Sequence, residues 1–598
     1  MGKLTFKELE KSFPWSVHRT MTGNQEEGLR FIAENDGRAL LETPTGSGKT
    51  AIGLTFLRAL ATRNEGSHYY VVPTKALVGQ VLEQYPGKDL VAAYGRNEHE
   101  CLYYEDEELQ ADQIPCTLLT DCAHRVDQKT GETFEPGATP CAYLLEKYRA
   151  MTSGKIIVCT MAYYIFAHVL QGKNKPAGVV IDEAHDAAKA IRNVLGYRIT
   201  NVHLERCIEV VSEFDASVAR QLSGFLRTFK RIVSRKFPRL EVMLSTPEIR
   251  DLITSLREVE IEPLYQGLSK AMRSRRVDAK VDRESLLHLE RLTKGINRYV
   301  SSLEYALHES RDPLNYVFAV YNSEVEEESR KATHSLTVRG YYTAPLMRKM
   351  LGERTVAYSA TIGNPNTFYY DSGLKLPFAT LESDFPPTHT RIFMPTDTPS
   401  LAFNERPSGQ PAKVMRQIAR ACRKFANRGI RSLVVVVSDA ERQRFVKTCE
   451  EEHVDAITYG KELSAKDAAM SFRDGKGEVL VGTAPNYGEG LDLPGDMSRV
   501  TFVLRPSYPP PTAPEAIFET ERFGSRRWAL WHWRIVIEAL QARGRNVRSK
   551  RDKGVTIFVS QQFRKFILHS LPKWLQTAYR GTQTFEQAVE ETIEVLKK

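Results

Sequence analysis

Nine residues constrain this chain more than any others: Glu42-Thr-Pro-Thr-Gly-Ser-Gly-Lys-Thr50. They follow an apolar run at 39–41 and lead into a helix-forming stretch at 51–60. Strand, loop and helix in that order make a cradle for phosphates. Gly46 and Gly48, with Thr45 and Ser47 between and before them, let the backbone turn its N–H groups inward. Lys49 supplies a point charge to the terminal phosphate, and the Thr50 hydroxyl is placed for Mg2+. The expected ligand is ATP with magnesium. Thr43 stands where the strict pattern has glycine, which leaves the turn to the two glycines nearest Lys49.

A second element follows about 130 residues later, where the buried-strand pattern Gly178-Val-Val-Ile ends in Asp182-Glu-Ala-His185. Beside a nucleotide, Asp182 would hold Mg2+ and Glu183 would orient or deprotonate the attacking water. A plain helix N-terminus also favours paired acids. Upstream, the amphipathic segment 19–32 carries Gln25, which could reach the adenine edge or simply lie on the surface. The stretch Ser359-Ala-Thr361 ends another short apolar strand with small hydroxyl groups, suited to a relay or a turn.

Further along, the runs at 431–438, 478–483 and 500–504 alternate with helical segments, the pattern of a second parallel sheet. It has no phosphate loop of its own, so two α/β halves would share one nucleotide in the cleft between them. The second half contributes Gln541-Ala-Arg-Gly-Arg-Asn-Val-Arg548, in which Arg545 and Arg548 are three apart and face the same side. Guanidinium groups aimed at the γ-phosphate would stabilise the transition state only when the cleft closes. The loop at 488–494 would couple the halves through Glu489 and Asp492. Trp528, Trp531 and Trp533 read as core residues, and the proline-rich stretch 385–411 reads as a linker.

With 598 residues the chain exceeds a single core and predicts roughly three to five domains. Its net charge of +9 permits a polyanionic partner without requiring one. No apolar run reaches membrane-spanning length and the start lacks a signal-peptide core, so a soluble intracellular protein with no membrane partner is expected. Four of the eight cysteines, Cys101, Cys116, Cys122 and Cys141, cluster with 14, 5 and 18 residues between them. The surrounding segment, 95–148, has little periodic apolar content and needs a staple. An iron-sulfur cluster, a structural zinc and unrelated thiols all remain open on spacing alone. Residues 201–330 read as a helical insertion without strand alternation. Its apolar face includes Leu286, Leu287, Leu289 and Leu292, and its acidic patch at 324–328 reads as a hinge.

Together these motifs resemble the superfamily 2 helicases, and among them the iron-sulfur family of XPD and DinG. Glu42 to Thr50 stands as motif I, Asp182-Glu-Ala-His185 as the DEAH box, Ser359 to Thr361 as motif III, 488–494 as motif V and 541–548 as motif VI. The resemblance implies an α/β fold of two RecA-like parallel-sheet motor domains with an inserted iron-sulfur domain and a helical arch. It divides the chain at 1–94, 151–200 and 336–384 (first motor domain), 95–150 (iron-sulfur domain), 201–335 (arch) and 385–598 (second motor domain). It also implies that Cys101, Cys116, Cys122 and Cys141 hold a [4Fe-4S] cluster, and that Lys49, Asp182, Glu183, Gln541, Arg545 and Arg548 carry out hydrolysis. The activity implied is a monomeric 5′ to 3′ DNA helicase of repair or replication, acting on single-stranded DNA and tailed duplexes, cytoplasmic or nuclear in location. A DNA-stimulated translocase or sensor that remodels protein–DNA or R-loop structures without processive unwinding is the alternative.

Overall fold

The structure, a computed structural model, describes residues 2–44, 46–63, 66–104, 108–119, 121–152, 155–195, 197–213, 215–236, 241–273, 283, 284, 286, 287, 289–292, 295, 317–325, 332–382, 386–402, 409–460, 463–487, 497–543 and 552–597. Two parallel α/β sheets form the body. The first has seven strands in the order Phe378–Thr380, Arg38–Glu42, Arg354–Ser359, Gly178–Asp182, His68–Val72, Ile156–Thr160, Leu90–Ala93. Helices cover both faces, so its central strands are apolar almost throughout, and His68–Val72 and Gly178–Asp182 are wholly buried. The register pairs Glu42 with Ser359 and Tyr358 with Asp182. Three chemically active positions therefore lie side by side at the carboxyl ends of adjacent strands, where open α/β sheets bind ligands.

The second sheet is also parallel and seven-stranded, in the order Ala456–Ile457, Val479–Thr483, Ser432–Val436, Val500–Val503, Gly554–Phe558, Thr390–Phe393, Tyr579–Arg580. Thr390–Phe393 corrects the reading of 385–411 as linker. Ile392 and Phe393 are fully buried, and the strand pairs with Gly554–Phe558. The surrounding prolines masked this four-residue signal.

The insertion is helical over Asn201–Ser212, Ala216–Val233, Thr246–Arg257 and Ile261–Arg273. It also holds a four-stranded antiparallel sheet, ordered Tyr197–Thr200, Ala332–Gly340, Val317–Val325, Val242–Met243, which the reading without strands omitted. The alternation of buried Leu336 and Val338 with more exposed neighbours was the available signal. Because Tyr197–Thr200 pairs with Ala332–Gly340, the boundaries expected at 200 and 336 fall inside this sheet rather than at its edges. Leu286, Leu287, Leu289 and Leu292 are buried as expected. The hinge reading at 324–328 falls mostly outside the described residues.

The cysteine segment shares a core with the insertion. Tyr104, Ile114, Leu118 and Leu119 are buried in one cluster with Leu204, Leu222, Phe225 and Leu252. The scattered Cys159, Cys207, Cys422 and Cys449 are buried. Among the described residues no helix is long and apolar enough to cross a membrane.

One helix, Arg527–Arg543, is packed by both halves. Leu530, Trp533 and Ile537 are buried in the first half's core, while Ile535, Val536, Ala539 and Leu540 belong to a cluster of the second. Trp531 and Trp533 are buried, whereas Trp528 is exposed, contrary to its reading as core.

Candidate active site

The phosphate loop leaves its strand through Thr43, whose amide donates to the Ser359 carbonyl at 2.9 Å. The Thr43 hydroxyl meets Ser47 Oγ at 2.8 Å, and Ser47 Oγ donates to the Pro44 carbonyl at 2.7 Å. The threonine that replaces glycine at 43 thus ties the loop back on itself. Gly46 and Gly48 hold φ of 78° and 80°, the left-handed region open to glycine without strain. A Cβ on Gly48 would lie 2.2 Å from Gln25 Nε2, so Gln25 packs against the loop. Its Oε1 accepts from the Thr22 amide at 2.9 Å in a capping box, and the side chain is buried. Thr45 lies outside the described residues.

Lys49 Nζ donates to Glu183 Oε1 at 2.7 Å. Ser359 Oγ donates to Glu183 Oε2 at 3.1 Å, and His185 Nδ1 lies 2.6 Å from Ser359 Oγ. His185 Nε2 in turn meets Gln541 Nε2, from the helix Arg527–Arg543. With the imidazole proton on Nδ1, every link has one donor and one acceptor. Gln541 donates to His185, His185 to Ser359, and Ser359 to Glu183, where Lys49 also arrives. Burial raises the Glu183 carboxyl, but the Lys49 charge, with the hydrogen bonds from Lys49 and Ser359, outweighs it and holds it down at about 2. Asp182 moves the opposite way, pushed up to about 7 by burial and by the Glu183 charge beside it. The two adjacent acids are thus shifted in opposite directions, Glu183 toward the carboxylate and Asp182 toward the neutral acid. Glu183 also holds a φ of 46°, a strained conformation for a side chain of its size. Thr50 hydrogen-bonds Tyr70, which pairs with Tyr358 beneath the loop.

The structure brings together Gln25, Gly46, Ser47, Gly48, Lys49, Thr50, Asp182, Glu183 and Gln541. Arg545, Arg548, Glu489 and Asp492 lie outside the described residues. Thr74 caps the helix Lys75–Gln84, accepting from the Leu77 amide at 3.4 Å.

Two features have little sequence signal. Glu42 is 2% exposed, and its Oε1 accepts from the Ile362 and Gly363 amides at 2.8 and 2.7 Å. A carboxylate closing an apolar strand was the hint. The second is an ion network where first half, inserted sheet and second half meet. Asp371 Oδ1 accepts from Arg192 at 2.8 Å and Arg534 at 2.9 Å, while Arg534 also reaches Glu519 at 2.7 Å. Tyr341 OH donates to Glu519 at 2.9 Å. These partners are up to 179 residues apart, and no local pattern announces them. Arg192, Tyr341, Asp371 and Arg534 border a cavity of about 690 Å3 that also touches His185 and Gln541.

Residues 423–578 match the Helicase C-terminal domain family, and residues 18–209 match the family described as Type III restriction enzyme, res subunit. An XPD helicase structure is 16% identical, with a TM-score of 0.56 over 97% of this chain and 100% of that one. Xpd4 of S. tokodaii is 13% identical, with a TM-score of 0.55 over 94% and 100%. Apo XPD gives 14%, 0.55, 93% and 99%. The chain carries a Helicase C-terminal domain and has the fold of the XPD helicases. The two parallel sheets are the two lobes of this fold, and the Glu183–Ser359–His185–Gln541 chain runs from one lobe to the other.

The four cysteines of the helicase's first insertion are free thiols in one neighbourhood. Cys101 and Cys122 are raised by burial, with Cys141 adding to both and Cys101 adding to Cys122. Cys116 feels both Cys101 and Cys141. Backbone amides of Tyr103 and Tyr104 point at the Cys101 sulfur, and that of His124 at Cys122. Among the described residues, no three His, Cys, Asp or Glu side chains are arranged to hold a metal ion. Amides aimed at the Cys101 and Cys122 sulfurs suit the thiolates of a four-cysteine metal centre.

Proposed function

We propose that this helicase hydrolyses ATP between its lobes and uses the cycle to move 5′ to 3′ along single-stranded DNA and separate tailed duplexes, in DNA repair or replication. The observation that carries the reading is the donor chain from Gln541 to Glu183. It gives the second lobe a direct hold on the carboxylate beside Lys49. The γ-phosphate would compete with Glu183 for Lys49, releasing the carboxylate to orient water. Asp182 and Thr50 would hold Mg2+, which would offset the charge of the phosphates. Gln25 would stand at the base, and Arg545 and Arg548 would complete the transition-state contacts. Glu489 and Asp492 would couple the lobes. The polarity and the DNA preference follow the resemblance.

In the same reading, Cys101, Cys116, Cys122 and Cys141 would hold a [4Fe-4S] cluster, a structural staple for residues 95–150. The arch would be the insertion between the motor segments. Anaerobically prepared protein should carry about four irons per chain and absorb broadly near 400 nm, and Cys116→Ser should lose the iron. Stoichiometric zinc without iron would refute the cluster.

The deciding assay compares duplexes with 5′ tails, 3′ tails and RNA strands. The expected result is ATPase stimulated by single-stranded DNA, with strand separation from 5′ tails alone. Hydrolysis that leaves every duplex intact would identify a translocase or remodelling sensor, and opening of 3′ tails alone would reverse the polarity.

A further inference from the structure

The peptide Ile362–Gly363 is gripped from both sides. On one side its two amides donate to Glu42 Oε1, the last residue of the strand that feeds the phosphate loop. On the other, the Ile362 carbonyl accepts from the Trp533 indole N–H at 2.8 Å. Trp533 lies on the helix Arg527–Arg543 of the second lobe but is buried in the first lobe's core. The ring presses on the turn itself. Gly363 holds a φ of +64°, and a Cβ there would lie 3.5 Å from Trp533. Glu42 and Trp533 share no direct contact in this arrangement, and the peptide transmits between them.

We propose that Trp533 and Glu42 are positioning residues that clamp the Ile362–Gly363 turn, so that movement of the second lobe is passed to the phosphate loop. This inference rests on the motor reading above. The path starts on the same helix as the His185 chain but has a different end point. That chain ends on the carboxylate at the water side, whereas this one ends on the strand that carries the loop. A shift of the helix Arg527–Arg543 would move the indole, the turn and then Glu42, because each link is buried and hydrogen-bonded. Rigid transmission of this kind changes hydrolysis in response to nucleic acid while leaving nucleotide affinity nearly alone.

The test uses the full chain, an oligo-dT strand and a fluorescent ATP analogue. Trp533→Phe keeps an aromatic, though smaller, side chain and removes the indole N–H. It should leave unstimulated hydrolysis, analogue affinity and DNA affinity within about twofold of wild type. Stimulation by DNA should fall about tenfold, within the usual range of coupling between sites, and the loss should appear in kcat with the KM for ATP unchanged. Glu42→Ala should lose stimulation to the same extent, and Glu42→Gln, which keeps the acceptor oxygen, should restore it. The double variant should be no worse than Glu42→Ala, since both cut one path.

Undiminished stimulation in Trp533→Phe, or losses that multiply in the double variant, would overturn the clamp. So would a parallel loss of analogue affinity and unstimulated rate in Trp533→Phe, the mark of a merely structural role. A wild-type protein whose hydrolysis ignores nucleic acid would overturn the motor reading first, and the clamp with it.

Discussion

Replacing Lys49 by alanine is expected to lower kcat by at least 10²–10³-fold, on the order seen when one preorganised charge is lost from a transition state. Two effects combine. The terminal phosphate loses its point charge, and Glu183 loses the cation that opposes its burial. Without Lys49, the pair Asp182 and Glu183 would be two acids in one partly buried site, and Glu183 would drift upward toward protonation. ATP affinity should fall together with the rate. Glu183→Gln separates the two effects, because it spares the lysine, and its analogue binding should persist while hydrolysis is lost. Single-turnover ATPase with saturating DNA, beside analogue titration, measures both. A Lys49→Ala protein with wild-type turnover would place hydrolysis elsewhere.

Replacing Asp371 by alanine is expected to destabilise the molecule by about 3–5 kcal/mol, as removal of one partner from a buried ion network does. Asp371 is nearly inaccessible and accepts from two guanidinium groups, Arg192 of the first lobe and Arg534 of the second. Burial raises its carboxyl, and the two arginines outweigh that and hold it down. Arg534 keeps Glu519 when Asp371 is removed. Arg192 keeps its bond to the Tyr341 carbonyl at 3.1 Å but loses its carboxylate. Because the network joins the lobes at the base of the insertion, the loss should also separate their unfolding. Calorimetry should show the main transition lowered by about 2–4 °C and split in two. A single transition at the wild-type temperature would remove the network from the account of how the lobes are held.

Most of the motor was legible because its signals are local. A phosphate loop needs its glycines and lysine within a few residues, and Asp182 and Glu183 sit at the end of an apolar run that could only be a buried strand. The inserted sheet was less legible, since its long strands follow segments of helical pattern and one of them, Ala332–Gly340, pairs with Tyr197–Thr200 across more than a hundred residues. Thr390–Phe393 hid among prolines. Trp528, Trp531 and Trp533 looked alike in sequence, yet the helix turns two inward and one to solvent. That difference depends on which faces the two lobes cover.

What the sequence by itself determined was the chemistry: phosphate loop, paired acids, clustered thiols and the order of two parallel-sheet halves, each written in residues that act at short range. Only the tertiary structure decided how these parts are wired. The chain from Gln541 to Glu183, the grip of Glu42 and Trp533 on one turn and the charges around Asp371 all join residues more than a hundred positions apart. Such contacts exist because packing brings strand ends and one shared helix together. A linear pattern carries no record of which buried donor will meet which acceptor.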